Sequence, residues 1–259
     1  MRKKQWLIVL CAVLLLSTSI YQLVFAQQEH SQTAPGEMGK MVEKGETSEE
    51  EMFPHPFFVH MGISDKPGML STRLTGYRQG FNTESYQTDF AFHLETGLYN
   101  RFGLHVRNDA IKQESRTDVM LMYNVLQDKK GESGISVFGA GLIPSGTIPE
   151  DEDKVIAAFG VGGRKVFPGL VTFDGDIHYM PQMNMAEYEI SGVFKATQYF
   201  FPVLEISGEI MKDETTLYLL PAIKFKLTPG KFIGVGSQIG LTSNRDFDTR
   251  ALLQLDMDW

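Results

Sequence analysis

The chain has 259 residues and a formal net charge of -8, long enough for one large β domain and too acidic for a nucleic-acid binder, which needs a basic patch. Its one cysteine, Cys11, falls in the amino-terminal apolar run, so no disulfide supports the rest of the fold. Past that run nothing approaches the ~18 consecutive apolar residues of a membrane helix, which leaves a closed barrel as the way to span a bilayer.

Arg2, Lys3 and Lys4 precede an apolar run from Trp6 through Leu16, and Val24-Phe25-Ala26 supplies small-residue cleavage chemistry before Gln27. Residues 1–26 therefore read as a secretory signal peptide cleaved after Ala26. Loss of its three positive charges takes the net charge from -8 to -11.

Residues 27–60 carry Glu46, Glu49, Glu50 and Glu51 with few large apolar groups, and they read as a disordered acidic periplasmic tail. Met38, Met41 and Met52 with His30, His55 and His60 offer soft and imidazole ligands of the kind copper takes. Their spacing is sparse and irregular, so a plain tail is the stronger reading, and no metal site or cofactor is expected. Phe53-Pro54-His55-Pro56-Phe57-Phe58-Val59 is the first apolar patch, placed to plug or brace the inner end of a barrel.

Residues 61–259 form the barrel domain. Strands are expected near 68–78, 87–98, 102–110, 117–127, 134–143, 154–166, 169–179, 186–197, 201–211, 216–227, 231–242 and 249–259, each long enough to cross a bilayer at a tilt. Phe90, Phe92 and Leu94 oppose His93 and Glu95. Leu104 and Val106 oppose His105, Arg107 and Asp109, and Phe173 and Ile177 oppose Asp174, Asp176 and His178. Tyr188 and Ile190 oppose Glu187, Glu189 and Lys195, while Leu204 and Ile206 oppose Glu205 and Glu209. Period-two alternation of this kind, apolar outside and polar inside, is the transmembrane β pattern. Pro221 sits mid-strand without a ladder donor and predicts a bulge there.

Short connections at Tyr99-Asn100-Arg101, Phe167-Pro168, Gln198-Tyr199-Phe200 and Thr228-Pro229-Gly230 alternate with longer ones such as 82–86, 144–153 and 180–185. Aromatics gather at strand ends, with Tyr99, Phe102, Phe167, Tyr199, Phe200, Phe201 and Trp259 on one side and Tyr77, Tyr86, Tyr179 and Tyr188 on the other. They predict two interfacial girdles. The last strand carries Ala251, Leu253, Leu255, Met257 and Trp259 on one face, with Arg250, Gln254, Asp256 and Asp258 on the other. Lysine is expected to be excluded at Leu255 and accepted at Gln254.

The terminal Leu253 to Trp259 resembles the last strand of bacterial outer-membrane β-barrels, which ends in Phe or Trp and is read by the barrel-assembly machinery. Leu253, Leu255, Met257 and Trp259 would be that assembly signal. Leu142-Ile143-Pro144-Ser145-Gly146-Thr147 is similar to the Leu-Pro-x-Gly strand end of the phenol-degradation MetA-pathway barrels. That resemblance implies transport or channel activity and no catalytic residues.

The fold expected is thus all-β, a closed antiparallel up-and-down transmembrane barrel of about twelve strands in the outer membrane, with lipid around it. Lumen-lining candidates are Arg73, His93, Glu95, His105, Arg107, Asp109, Arg164, Asp174, Asp176, His178, Glu187, Glu189, Lys195, Glu205, Glu209, Lys224 and Lys226. Hairpin geometry pairs Glu95 with His105, His93 with Arg107, and Lys195 with Glu205. Asp174, Asp176, Glu187 and Glu189 form an acidic wall, and rings of acids favour cations. The function expected is a narrow passive channel for an unidentified small polar or hydrophobic solute, and not an enzyme. The competing readings are an outer-membrane enzyme acting on lipid and a structural or copper-handling barrel. No Gly-x-Ser-x-Gly elbow is present, and Gly160-Val161-Gly162-Gly163 reads as small residues of a barrel wall rather than a nucleotide loop.

Overall fold

The structure, a computed structural model, describes residues 53–60, 62–81, 85–99, 101–111, 116–145, 154–212 and 214–259. The expected signal peptide and the expected tail as far as residue 52 lie outside the described residues, as do Gly146 and Thr147 of the Leu-Pro-x-Gly resemblance.

Twelve antiparallel strands run β1 Leu70–Phe81, β2 Ser85–Gly97, β3 Phe102–Asn108, β4 Arg116–Gln127, β5 Gly134–Pro144 and β6 Ile156–Phe167. They continue as β7 Val171–Met180, β8 Met185–Phe194, β9 Phe200–Ile210, β10 Tyr218–Thr228, β11 Lys231–Gly240 and β12 Thr249–Asp258. Each strand pairs with its neighbours in sequence, and β1 closes on β12 from Ser71 opposite Asp258 to Gly80 opposite Thr249. Closure satisfies the backbone groups that an open edge would leave bare.

The pleat sets the two faces. On β12, Leu252, Gln254 and Asp256 are buried in the lumen, whereas Leu253 is 53% exposed. Trp259, just past the strand end, is 63% exposed, and its backbone exchanges hydrogen bonds with Leu70. An outer surface of Leu74, Phe90, Val119, Leu121, Phe159, Phe173, Ile177, Ile190 and Val235 is apolar and exposed all round the wall. Such a continuous belt is far larger than a soluble monomer shows, and it suits a hydrocarbon surround.

Both β1 and β12 place their chain-terminal ends at one end of the barrel, here the terminal end; the opposite one is the loop end. Three sequence expectations change. Tyr77 and Phe201 leave the girdles, because each falls on the inward face of its strand and is buried; one residue of register decides between lipid and lumen. No bulge forms at Pro221, which pairs with Leu204 of β9 in unbroken register. Pairing with β11 skips Leu220 and Pro221 and resumes at Ala222 in the same register, and the shift lies instead between Lys226 and Thr228. A missing donor thus costs a local lapse in one ladder without an inserted residue.

The third change concerns Phe53–His60. Residues 53–60, grouped by sequence with the tail although Phe53–Val59 was expected to plug or brace the barrel's inner end, are all buried inside the barrel. Proline at 54 and 56 and the lack of any period keep this stretch from forming a strand, so its backbone groups need partners from the wall.

Candidate functional site

The site is the lumen, which holds the chain's own residues 53–60 and 62–66. At the terminal end the Phe53 ring meets Phe201 edge-on at 6.2 Å, and Phe201 meets Phe232 at 5.7 Å. Lys224 of β10 then collects the first carbonyls of the segment. Its Nζ donates to His55 O at 2.5 Å and Pro56 O at 3.2 Å, and to the side chains of Gln254 at 2.5 Å and Asp256 at 2.6 Å. Gln254 Nε2 donates to Phe57 O and to Thr75 Oγ1, each at 2.8 Å.

Arg73 of β1 donates to Pro56 O and Val59 O, both at 3.1 Å, and forms a close ion pair with Glu95. Glu205 of β9 accepts the N–H groups of Phe57 and Phe58. Asp174 of β7 accepts Gly62 N–H at 3.2 Å while Ser136 of β5 donates to Gly62 O at 2.8 Å. Asn124 of β4 accepts Ser64 N–H at 2.9 Å and donates to Ser64 Oγ at 2.8 Å. The wall therefore supplies the partners that a strand neighbour would otherwise give.

Two glycine positions make room. A methyl added to Gly62 would fall on the backbone of Gly163, and one added to Gly234 would strike the Phe57 ring. Inward Gly97 of β2, Gly103 of β3, Gly162 of β6 and Gly234 of β11 all lie against the segment.

His55 Nε2 lies 2.9 Å from Asp258 Oδ1, with Glu95 3.7 Å from its other nitrogen. Burial alone would lower the His55 pKa, but Asp258, supported by Glu95 and Asp65, raises it to about 9. For His60 burial and the Arg107 guanidinium act together and push the imidazole well below its ordinary value. Arg107 donates to His60 Nε2 at 2.9 Å, pairs with Asp109 at 2.6 Å and reaches Glu189 at 3.3 Å. Burial raises the Asp109 carboxyl, yet Arg107 and His93 hold it well below the usual carboxylate range.

Above this level, towards the loop end, the inward face turns acidic. His178 sits between Asp176, 3.3 Å from Nδ1, and Glu187, 3.0 Å from Nε2. Glu187 stands directly opposite Glu209, and Asp176 opposite Glu189. Asp118 on β4 joins them, paired in register with Arg107.

The expected pairs of Glu95 with His105 and His93 with Arg107 are cross-strand partners. Arg164 faces Asp174 at 3.8 Å. Lys226 lies on the same face as Lys224, nearer the terminal end. The pairing of Lys195 with Glu205 does not occur: Glu205 faces Ser191, and Lys195 lies past the end of β8. The connection 195–199 is longer than the tight turn that pairing required, so the register slips. Lysine at Gln254 is likewise no longer neutral, because that amide is buried against Lys224 Nζ. Asn124 and Ser136 were not singled out by sequence; the inward glycines, read together with the apolar patch at Phe53–Val59, were the available signal.

No family model and no curated protein matches the chain. Among solved structures, the NanC porin aligns over 72% of this chain and 97% of its own, with TM-score 0.51 and 11% identity. An outer-membrane channel from Pseudomonas putida F1 aligns over 81% of this chain and 100% of its own, with TM-score 0.54 and 9% identity. The chain has the fold of the outer-membrane channel barrels.

Proposed function

We propose that this chain is an outer-membrane channel for small solutes, closed at rest by its own segment Phe53–Lys66. The observation that carries the reading is the segment's attachment. It is held by side chains of a polar lumen, chiefly Lys224, Arg73, Glu205 and Gln254, through hydrogen bonds and ion pairs, and not by a strand added to the sheet. The apolar belt supports membrane insertion, and an even strand count puts both chain ends on the periplasmic side, where a secreted tail belongs. Both fold relatives are channels or porins.

Asp118, Asp176, Glu187, Glu189 and Glu209 at the loop end favour cationic or zwitterionic solutes in the vestibule. His93, His105 and His178 face the lumen and not lipid, which supports a transport role over a lipid-hydrolysing one. Planar-bilayer recording of the refolded chain is the test. Rare openings in the wild type and a larger open fraction in Glu205→Ala are expected. Absence of conductance in both would favour a purely structural barrel.

A further inference from the structure

We propose that His60, Glu95 and His105 form a binding site for a single divalent transition-metal ion, completed when the lumen segment seats against the wall. The inference is independent of whether the barrel conducts. Each residue offers a ligand atom, and these atoms lie within 4.8 Å of one another. Glu95 of β2 and His105 of β3 are cross-strand partners fixed by the sheet, while His60 comes from the segment. The His60 and His105 rings are 5.8 Å apart, centroid to centroid.

The second observation is an unmet need. His60, Glu95 and His105 are exposed by only 2%, 1% and 1%. Among the described residues, both ring nitrogens of His105 and Oε2 of Glu95 have no hydrogen-bond partner; the nearest groups are His55, 3.7 Å from Glu95 Oε2, and Glu95 Oε1 itself, 3.9 Å from His105 Nδ1. Buried polar atoms are ordinarily satisfied, and an imidazole with neither nitrogen bonded is suited to take a ligand. Two imidazoles and one carboxylate suit zinc and its neighbours, which take nitrogen and oxygen ligands with water completing the sphere. Calcium and magnesium prefer oxygen-only sets, and no thioether or thiolate in the set selects copper(I).

The remaining atoms of the ligands are held from behind. Arg73 pairs with Glu95 Oε1, and Arg107 donates to His60 Nε2. A neutral imidazole has one lone pair. Metal uptake through His60 Nε2 therefore displaces Arg107 from that nitrogen, and Arg107 keeps Asp109 and Glu189. Supporting groups of this kind orient metal ligands. The ion would then tie the segment to β2 and β3.

The test uses the full mature chain, refolded with cobalt(II) as a spectroscopic probe and then titrated with zinc(II). The expected result is one cobalt ion per chain with visible d–d absorption, displaced by zinc. His105→Ala removes a side chain that makes no hydrogen bond, so the barrel should fold, as checked by heat-modifiable gel mobility. Affinity should fall by roughly 100-fold or more in that variant, at least the loss seen when supporting groups are removed. His178→Ala and His30→Ala should bind as the wild type does. Failure of the wild type to take up a stoichiometric ion, undiminished binding in His105→Ala, or loss in His30→Ala alone would overturn the site. Should His105→Ala fail to fold, His105→Gln takes its place. If that fails too, X-ray absorption of the wild-type cobalt complex decides, imidazole ligands supporting the site and an all-oxygen sphere overturning it.

Discussion

Glu205 on β9 accepts the N–H of Phe58 at 3.0 Å on one carboxylate oxygen, and the neighbouring N–H of Phe57 on the other. One wall side chain thus caps two consecutive donors of a segment that has no strand partner. Hydrogen bonds to a charged acceptor contribute about 1.5–3 kcal/mol each, and unmet buried donors cost a similar amount. Glu205→Ala should therefore loosen the segment while leaving the twelve-strand ladder intact. Limited proteolysis should cut near Phe57 faster in the variant, with unchanged far-ultraviolet circular dichroism. Equal resistance to protease would show that Glu205 is not an anchor.

Lys224 is a fully buried ammonium paired with Asp256, 2.6 Å away. Removing one member of a buried ion pair leaves the other uncompensated, at a cost of about 3–5 kcal/mol. Lys224→Met should lower stability in detergent unfolding by that order, and Asp256→Asn in the same chain should restore much of it. The double-mutant cycle isolates the pair from the carbonyl bonds that Lys224 also makes. Additive losses would mean the two residues act separately.

The His55 contact makes segment docking depend on pH. Its neighbours are Asp258 on β12, Glu95 on β2 and Asp65 within the segment, and Lys224 donates to its carbonyl. Burial lowers the imidazole pKa, but the carboxylates bring it from 6.5 to about 9 on docking. A raised pKa means that docking takes up a proton, so its contribution is whole below pH 6.5 and is lost as pH rises through about 9. With a chelator present, channel opening or protease access should increase from pH 6.5 to 9, and His55→Gln should flatten the curve. An unchanged slope in the variant would assign the response to another group.

How far the sequence reaches is visible at Leu253 and Phe57. Leu253 belongs to an alternating strand, and its outward position follows from counting by two, as do the other strands and the closure. Phe57 has no such period, and Pro54 and Pro56 exclude a strand. Its place depends on Glu205, Lys224 and Gln254, which are far away in sequence and come together only when the barrel closes. Lys195 fails for another reason: the length of one connection fixes hairpin register, and no pattern within the strands reports it. The lumen charges were legible as inward, but not that Asp174, Glu205 and Lys224 bind backbone instead of solute.

Depth along the outer face gives a direct check of the membrane register. Leu253 lies near the middle of β12 and Thr249 at its loop end, both facing outward and exposed. Lysine costs roughly 2–4 kcal/mol at the bilayer midplane and about 0–1 near the interface. Leu253→Lys should impair refolding into lipid vesicles far more than Thr249→Lys does. The same pair in detergent, whose belt deforms around a charge, should differ less. Equal yields in lipid would mean that this face does not meet hydrocarbon.

Selectivity provides the last test, and the structure divides the acidic wall in two. Asp174 binds Gly62 N–H and Arg164, so it belongs to the segment's anchorage. Asp176, Glu187, Glu189 and Glu209 face inward nearer the loop end, with Glu187 and Glu209 placed as a like-charge pair. Conversion of Asp176, Glu187 and Glu189 to amides keeps side-chain volume and should move the reversal potential away from cation preference. The shift should be larger at 0.01 M salt, where the Debye length is about 30 Å, than at 0.1 M, where it is about 10 Å. Asp174→Asn alone should instead raise the open fraction with little change in selectivity, because it frees the segment and leaves the vestibule charge in place. Reversal potentials that track Asp174 and ignore the other three would place the selectivity-setting charge beside the segment and not in the vestibule.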